Sequence, residues 1–444
     1  MTDSRVSRRR FVEAVGIGGV VGLAGCSGSG GSGGSEETEG EMTEGEMTEG
    51  EMTEGEMTEG GSSGGSSSDP IPVGTLAPFS QGLGWVGPNA ARGRDVALQS
   101  INEELVLGRE VEINEQDTET TPQAAVSGFT TLDQAGVVAM LGPSSSVIPN
   151  LFQPISDAGL PTLSVSAGTI QMNDVGGPDA YLWRTVPSDS IAGRAQGQYA
   201  LDQGFESMAV SYKDDKGSQS FSASVADYFT GQGGSQVADV PLAIETDSYR
   251  SEVQEIVDSE PDVISMTAGT EVSALFMQNY IEAGADIPLF LGNDVLTPDF
   301  IERVGADVMA ESPVFGQAPA PGPAFDQFEQ RHRDLHGEAP GTFGAAGYDA
   351  MNLIALAAVR GGAADRETIT QNINPVARPD GTEVSTFADG KSELEAGNEI
   401  NYQGASNPQD FNEFGDPVGP FAVLEVSDAS WAELTTFSAD ELTT

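Results

Sequence analysis

Lysine, histidine and cysteine are nearly missing from this chain of 444 residues. There are three lysines (Lys213, Lys216, Lys391), two histidines (His332, His336) and one cysteine, Cys26. A lone cysteine excludes an internal disulfide. Two histidines leave little room for catalysis: a Ser-His-Asp triad would need His332 or His336, and Gly142-Pro143-Ser144-Ser145-Ser146 is not a nucleophile elbow. The i, i+4 spacing of the pair puts both rings on one helix face, as two metal ligands would be, but no Cys/His cluster stands nearby to complete a site. We read a solvated helix face, no metal, no cofactor and no enzyme. Positive charge is scarce as well: 19 basic residues face 69 acidic ones, a net charge of −50. Such a surface repels nucleic acid and excludes it as a partner. The apolar run at Ala14–Ala24 is too short to span a membrane.

What is present begins with Ser7-Arg8-Arg9-Arg10-Phe11, the apolar run, and Leu23-Ala24-Gly25-Cys26. A basic start and a short apolar stretch read as an export signal. The paired arginines resemble the twin-arginine motif, and Leu-Ala-Gly-Cys resembles a lipobox. Residues 1–26 are therefore expected to be a twin-arginine lipoprotein signal, with Cys26 lipidated on the extracellular face of the membrane. Residues 27–69 are rich in Gly, Ser and Glu and hold four copies of Glu-Met-Thr-Glu-Gly at 41–60. Without aromatic or β-branched apolar residues before Asp69 this stretch cannot build a core, so it reads as a disordered acidic tether. Only 11 of the 69 acids lie in 36–59, so the acidity belongs to the folded module too. Acid excess with scarce lysine is the habit of salt-in halophilic archaea: molar salt shortens the screening length to about 3 Å and relieves the self-repulsion.

From Asp69 the chain alternates short apolar runs with helical periods, β-α-β-α-β-α-β, then repeats the pattern beyond Pro187. This predicts parallel sheets covered on both faces. The centre of the first is Val137–Thr169. Val137–Leu141 is a buried strand, and Gly142-Pro143 ends it. Ser144, Ser145 and Ser146 are placed where a helix must begin, with free N–H groups for an anion such as a carboxylate. Pro161–Val165 is the next strand, followed by a second hydroxyl turn, Ser166-Ala167-Gly168-Thr169. Serines often only cap helices. Two such turns at the ends of neighbouring strands predict a small-molecule carboxylate site, since open α/β sheets bind ligands there.

The run GPSSS…QPISDAGLPTLSVSAGT (142–169) resembles the Leu/Ile/Val-binding, type 1 periplasmic-binding family, the branched-chain amino acid receptors of ABC importers. So do APFSQGLGWVGPNAARG (77–93), QDTETTPQAA (116–125), WRTVPSDS (183–190), GYDAMNLIALAA (347–358) and INYQGASNPQDFNEFGDPVGP (400–420). The resemblance, haloarchaeal-like and covering nearly all of 70–426, implies an α/β fold of two lobes, each a parallel sheet flanked by helices, with three hinge crossings. Lobe 1 would hold 70–187 and 317–415, and lobe 2 would hold 188–316 and 416–444; Pro313–Pro323 would be a return crossing. The resemblance further implies a zwitterion in the cleft. Ser145 and Ser146 would meet the carboxylate, with Ser166, the backbone of Ala167, and either Gly168 or Thr169. Asp294 would meet the ammonium, unless it only caps the helix near Pro298. Thr270 falls on a cleft position. Trp85 either walls the side-chain pocket or fills the core. Lys216 replaces a common aromatic residue; it either serves an acidic ligand or pairs with Asp214 or Asp215.

The implied function is an extracellular, monomeric receptor that hands an amino acid to an ABC permease and its ATPases. The alternatives on the same fold are a receptor for an amide, urea or small carboxylate, and a ligand-sensing ectodomain. The latter would be expected with a spanning helix and a signalling domain in the chain. A surface-layer protein would fit the acidity and the tether but not the cleft motifs.

Overall fold

The computed structural model describes residues 69–309, 313–427 and 429–443. The export signal, Cys26 and the Glu-Met-Thr-Glu-Gly repeats lie outside them. Five strands form the first sheet: β1 (Ile71–Ala77), β2 (Val111–Asp117), β3 (Ala139–Leu141), β4 (Thr162–Ser164) and β5 (Leu182–Arg184), in the order β2-β1-β3-β4-β5 and all parallel. β3, β4 and β5 are buried along their whole length; β3 is accordingly all apolar, while β4 and β5 bury Thr162, Ser164 and Arg184 among their apolar residues. Local signals start several helices. Thr121 caps Pro122–Gln134 by accepting from Ala124 N, and Ser188 caps Asp189–Asp202 by accepting from Ser190 N.

The first lobe is completed by a later stretch of chain. Helix Gly344–Gly361 is buried along most of its length and shares one core with Val73, Leu141, Trp183 and Tyr402. It packs against helix Val86–Glu104 at a distance only glycine allows: a Cβ on Gly93 would stand 1.7 Å from Gly344 O. Helices Phe325–His336, Arg366–Asn372 and Phe387–Glu395 surround it, with a small parallel pair, β11 (Thr382–Val384) and β12 (Ile400–Tyr402).

The second sheet runs β14-β13-β10-β9-β8-β6-β7, from β6 (Ser207–Lys213), β7 (Ser235–Leu242), β8 (Val263–Thr267), β9 (Leu289–Leu291), β10 (Val314–Pro319), β13 (Phe421–Ser427) and β14 (Ser430–Phe437). Two sequence readings are corrected here. Val314–Pro319, read as part of a crossing because of its prolines, is a strand parallel to β9; the chain leaves the second sheet only after Pro319. The sheet is also not purely parallel, because β13 and β14 close its edge as an antiparallel hairpin. β14 is a largely exposed edge strand with little apolar patterning, so its sequence gave no sign of it.

Three segments cross between the sheets: 185–188, 320–324 and 403–420. They are tied together. Ala320 N donates to Pro420 O (2.9 Å), Gly322 N to Ala405 O (3.0 Å) and Ala324 N to Gly404 O (3.1 Å). Ser406 Oγ donates to Thr185 O at 3.0 Å, and Thr185 Oγ1 to Ala346 O at 2.9 Å. Asp349, fully buried on the central helix, accepts from Tyr402 OH, Ala405 N and Ser406 N at 2.9, 2.7 and 2.8 Å. Burial pushes its carboxyl up to about 6, against the pull of these donors. The carboxyl ends of β5 and β10 both lead into crossings, so the loops at the carboxyl ends of the two sheets face the same interlobe space.

Candidate ligand-binding cleft

On the first lobe the cleft is built from the loops after β3 and β4. Contrary to the sequence reading, Ser144, Ser145 and Ser146 do not open a helix. A tight turn follows them at Ile148–Asn150, and the helix itself spans Phe152–Ala158. The serines lie in an irregular loop that begins at the cis Gly142–Pro143 bond. Side chains, not a helix terminus, fix that loop. Ser164 Oγ donates to Pro143 O at 2.6 Å and accepts from Ala167 N at 3.0 Å, stitching the two turns together. Ser144 and Ser166 pair as an isolated parallel bridge. Ser146 Oγ lies 3.0 Å from Ser144 Oγ, and Ser145 Oγ accepts from Thr169 N at 3.4 Å.

The second turn is organised by a residue to which the sequence reading gave no role. Arg184 is fully buried at the end of β5. Its Nε donates to Asp416 at 2.6 Å, its Nη2 to Asn173 Oδ1 at 2.6 Å, and its Nη1 to Gly168 O and Thr169 O at 2.9 and 3.0 Å. Ala167 O lies at 3.4 Å from the same Nη1. The carbonyls of 167–169 therefore face a guanidinium, and Ala167 N is held by Ser164. Ala167 is buried and offers no free backbone N–H; Thr169, also buried, accepts from Gln171 N through its hydroxyl.

The second lobe contributes acids. Asp189, the first residue of helix Asp189–Asp202, packs so tightly on the turn that a Cβ on Gly168 would stand 2.1 Å from its Oδ1. Asp189 N donates to Gly168 O at 2.7 Å. Desolvation pushes the Asp189 carboxyl up to about 6, although the Ser220 hydroxyl and the charge of Arg184 pull it down. Its Oδ2 is buried with no partner. Asp294 sits in the turn Asn293–Val295 after β9, and among the described residues no hydrogen bond or ion pair reaches its carboxylate. Burial first, then repulsion from Asp215 and Asp189, pushes it up to about 6; Lys213 opposes them. Asp215 caps helix Lys216–Gly231 by accepting from Ser218 N at 2.9 Å, and pairs with Lys213 at 3.2 Å. Ser220, on that helix, accepts from Ile170 N at 3.2 Å, a bond between the lobes. A Cβ on Gly217 would lie 3.7 Å from Ser145 Cβ.

The structure thus brings together Ser145, Ser166, Gly168, Thr169 and Asp294, and adds Arg184, Asp189, Lys213, Asp215 and Ser220. Ser146 is one hydrogen bond further back. Lys216 is exposed; the lysine that acts on the cleft acids is Lys213, and it is Lys213 that pairs with Asp215. Thr270 is half-buried at the start of helix Thr270–Glu282, three residues after Thr267, whose Oγ1 is buried without a partner. Trp85 is 37% exposed and stacks on Phe343, with ring centroids 5.9 Å apart; it lies at the surface and does not fill the core. The expected solvated histidine face is not observed: His332 is buried, and its ring lies 4.7 Å from that of His336, tilted by 51°. They bond to backbone carbonyls of Glu338 and Arg92, on the outer helix of the first lobe.

The model of the periplasmic binding protein family matches residues 70–430. The chain belongs to that family. A substrate-binding protein of the chemotactic signal transduction system, BasB of Halobacterium salinarum, is 25% identical over 382 residues, 82% of this chain and 88% of that protein. The leucine-binding protein LivK of Thermotoga maritima superposes with a TM-score of 0.69 at 19% identity, covering 84% of this chain and 99% of LivK. A fatty acid ABC transporter substrate-binding protein from Thermomonospora curvata gives a TM-score of 0.69 at 18% identity, over 85% and 94% of the two chains. The two-lobed α/β fold expected from the sequence is the fold of this family. The same frame holds leucine in one named relative and fatty acid in another, so the ligand must be argued from the cleft's own side chains.

Proposed function

We propose that this protein is an extracellular solute receptor, anchored through Cys26 and a 27–69 tether, that binds an amino acid between its lobes and presents it to an ABC permease. One observation carries the reading: Asp294 is a half-buried carboxylate that, among the described residues, receives no hydrogen bond, in the turn after β9 beside Asp215, Lys213 and Asp189. An ammonium is the group that satisfies it, through a charge-assisted hydrogen bond. Ser145, Ser146 and Ser166 stand on the other side to take a carboxylate, with Thr270 and Trp85 at the margins. The leucine-binding and Leu/Ile/Val-binding relatives make the branched-chain amino acids the reference ligands. Closure of the lobes about the three crossings is the signal that a permease reads. The likeness to BasB favours a second reading, in which the closed form is read by a chemotaxis transducer.

The test is mass spectrometry of solute extracted from protein purified in molar KCl, followed by thermal shift on adding that solute back. A co-purifying amino acid that raises the melting temperature is the expected result. If no amino acid raises it, the proposal fails. Co-purification of a permease or of a transducer from detergent-solubilised membranes decides between the two readings.

A further inference from the structure

The charges in the cleft do not balance for a zwitterion. Three carboxylates act on one another there: Asp189 and Asp215 both repel Asp294. Among the described residues the cations are two. Lys213 pairs with Asp215. Arg184 is ion-paired with Asp416 and turned toward Asn173 and the 168–169 carbonyls, with no hydrogen bond to Asp189. Asp189 and Asp294 are thus left without a hydrogen-bonding cation. An acid in the first turn of a helix is ordinarily favoured by the helix dipole and hydrated by solvent. Asp189 differs, because its Oδ2 is buried and meets neither a donor nor an acceptor of the protein. A ligand carboxylate is a poor complement for it, since Asp294 and Asp215 repel an anion in the same space. An ordinary zwitterion brings one ammonium for Asp294 and leaves Asp189 Oδ2 buried without a partner, which is costly.

We infer that the ligand carries a second cationic nitrogen, which meets Asp189 Oδ2, so that the solute is a basic amino acid. This inference rests on the amino acid reading above and narrows it. Two features favour it beyond the charge count. Asp189 is held in place by Ser220, whose hydroxyl also takes Ile170 N from the first lobe, so Asp189 is fixed where the lobes meet. Thr267 Oγ1, buried and unpartnered at the end of β8, offers a neutral acceptor to a multi-donor group such as a guanidinium.

The experiment is calorimetric titration of the full chain, freed of bound solute, in molar KCl at neutral pH with L-arginine, L-lysine, L-leucine and L-isoleucine. A basic amino acid should bind at least roughly tenfold more tightly than either branched-chain one, the worth of one charge-assisted hydrogen bond. Asp189→Asn should remove most of that preference by weakening the basic ligand and leaving leucine nearly unchanged. Leucine or isoleucine binding as tightly as the basic amino acids in the wild-type protein overturns the inference while the receptor reading stands. Retention of the full preference in Asp189→Asn overturns it as well. Binding of none of the four, with none co-purified, sinks the receptor reading and the inference with it. The wild-type ranking alone decides the matter if Asp189→Asn does not fold.

Discussion

Replacing Arg184 by leucine should destabilise the protein more than any other single change in the cleft. The guanidinium is fully buried, 2.6 Å from Asp416, and it collects the carbonyls of Gly168 and Thr169. Arg184→Leu leaves the Asp416 carboxylate buried without its partner, a loss of about 3–5 kcal/mol for broken buried pairs. Domain stabilities run to only about 5–15 kcal/mol, so roughly a fifth or more of the total is at stake. The assay is urea unfolding at constant molar KCl, followed by tryptophan fluorescence, since Trp183 is the neighbouring residue and is itself fully buried. Arg184→Lys should recover only part of the loss, because an ammonium cannot fork between a carboxylate and two carbonyls. Adding Asp416→Asn to Arg184→Leu should recover much more, because the stranded charge is then gone. An unchanged urea midpoint in Arg184→Leu, or no recovery in the double variant, would refute the account of Arg184 as the centre of this turn.

Four further outcomes are expected. Asp294→Asn should weaken amino acid binding by roughly tenfold to a hundredfold in calorimetry, and unchanged affinity would remove Asp294 from the site. Without solute, Asp294 and Asp189 are each raised from 3.8 to about 6, so the folded state holds protons that the unfolded chain has released; this stabilisation is present below 3.8 and is lost as pH rises through about 6. The melting temperature of Asp294→Asn should therefore gain on wild type as pH rises across that window, and parallel curves would contradict the shift. The folded module should lose secondary structure in low salt and regain it in molar KCl, because its net charge of one sign is then unscreened; a salt-independent circular dichroism signal would count against this. Cys26→Ser should release the protein from membranes, and wild-type partitioning in sedimentation would refute lipid anchoring.

The fold was legible because burial on both faces of parallel strands leaves continuous apolar runs, as in AML at 139–141 and LFL at 289–291. The helix through 344–361 was legible as a long, largely apolar stretch, since it is surrounded by its lobe. β14 was not, because an exposed edge strand needs no apolar pattern, and β10 was hidden by prolines that a strand end tolerates. In the cleft, the hydroxyl turns could be read because they follow apolar strands, whereas Asp294 was expected only from the family resemblance. Arg184 and Asp189 could not. Each sits in the short segment WRTVPSDS, where arginine reads as a surface charge and aspartate as a helix cap. Only the tertiary contacts with Asp416, 232 residues away, and with Gly168 reveal their burial.

This arrangement also bears on how the lobes are set in motion. Asp189, Asp215 and Asp294 all follow the first crossing and belong to the second lobe, so opening does not separate them; it hydrates them. Closing against Ser145, Gly168 and Ile170 removes that water, and the loss of hydration raises the carboxyls of Asp189 and Asp294. Molar salt, which calms the outer surface, cannot reach charges inside a closed cleft. A solute lacking a cation has no differential affinity for the closed form to set against this cost. One that brings positive charge does, and the same acids that disfavour closure alone then hold the lobes together. On the proposed reading, selectivity and the conformational signal would therefore come from one set of side chains.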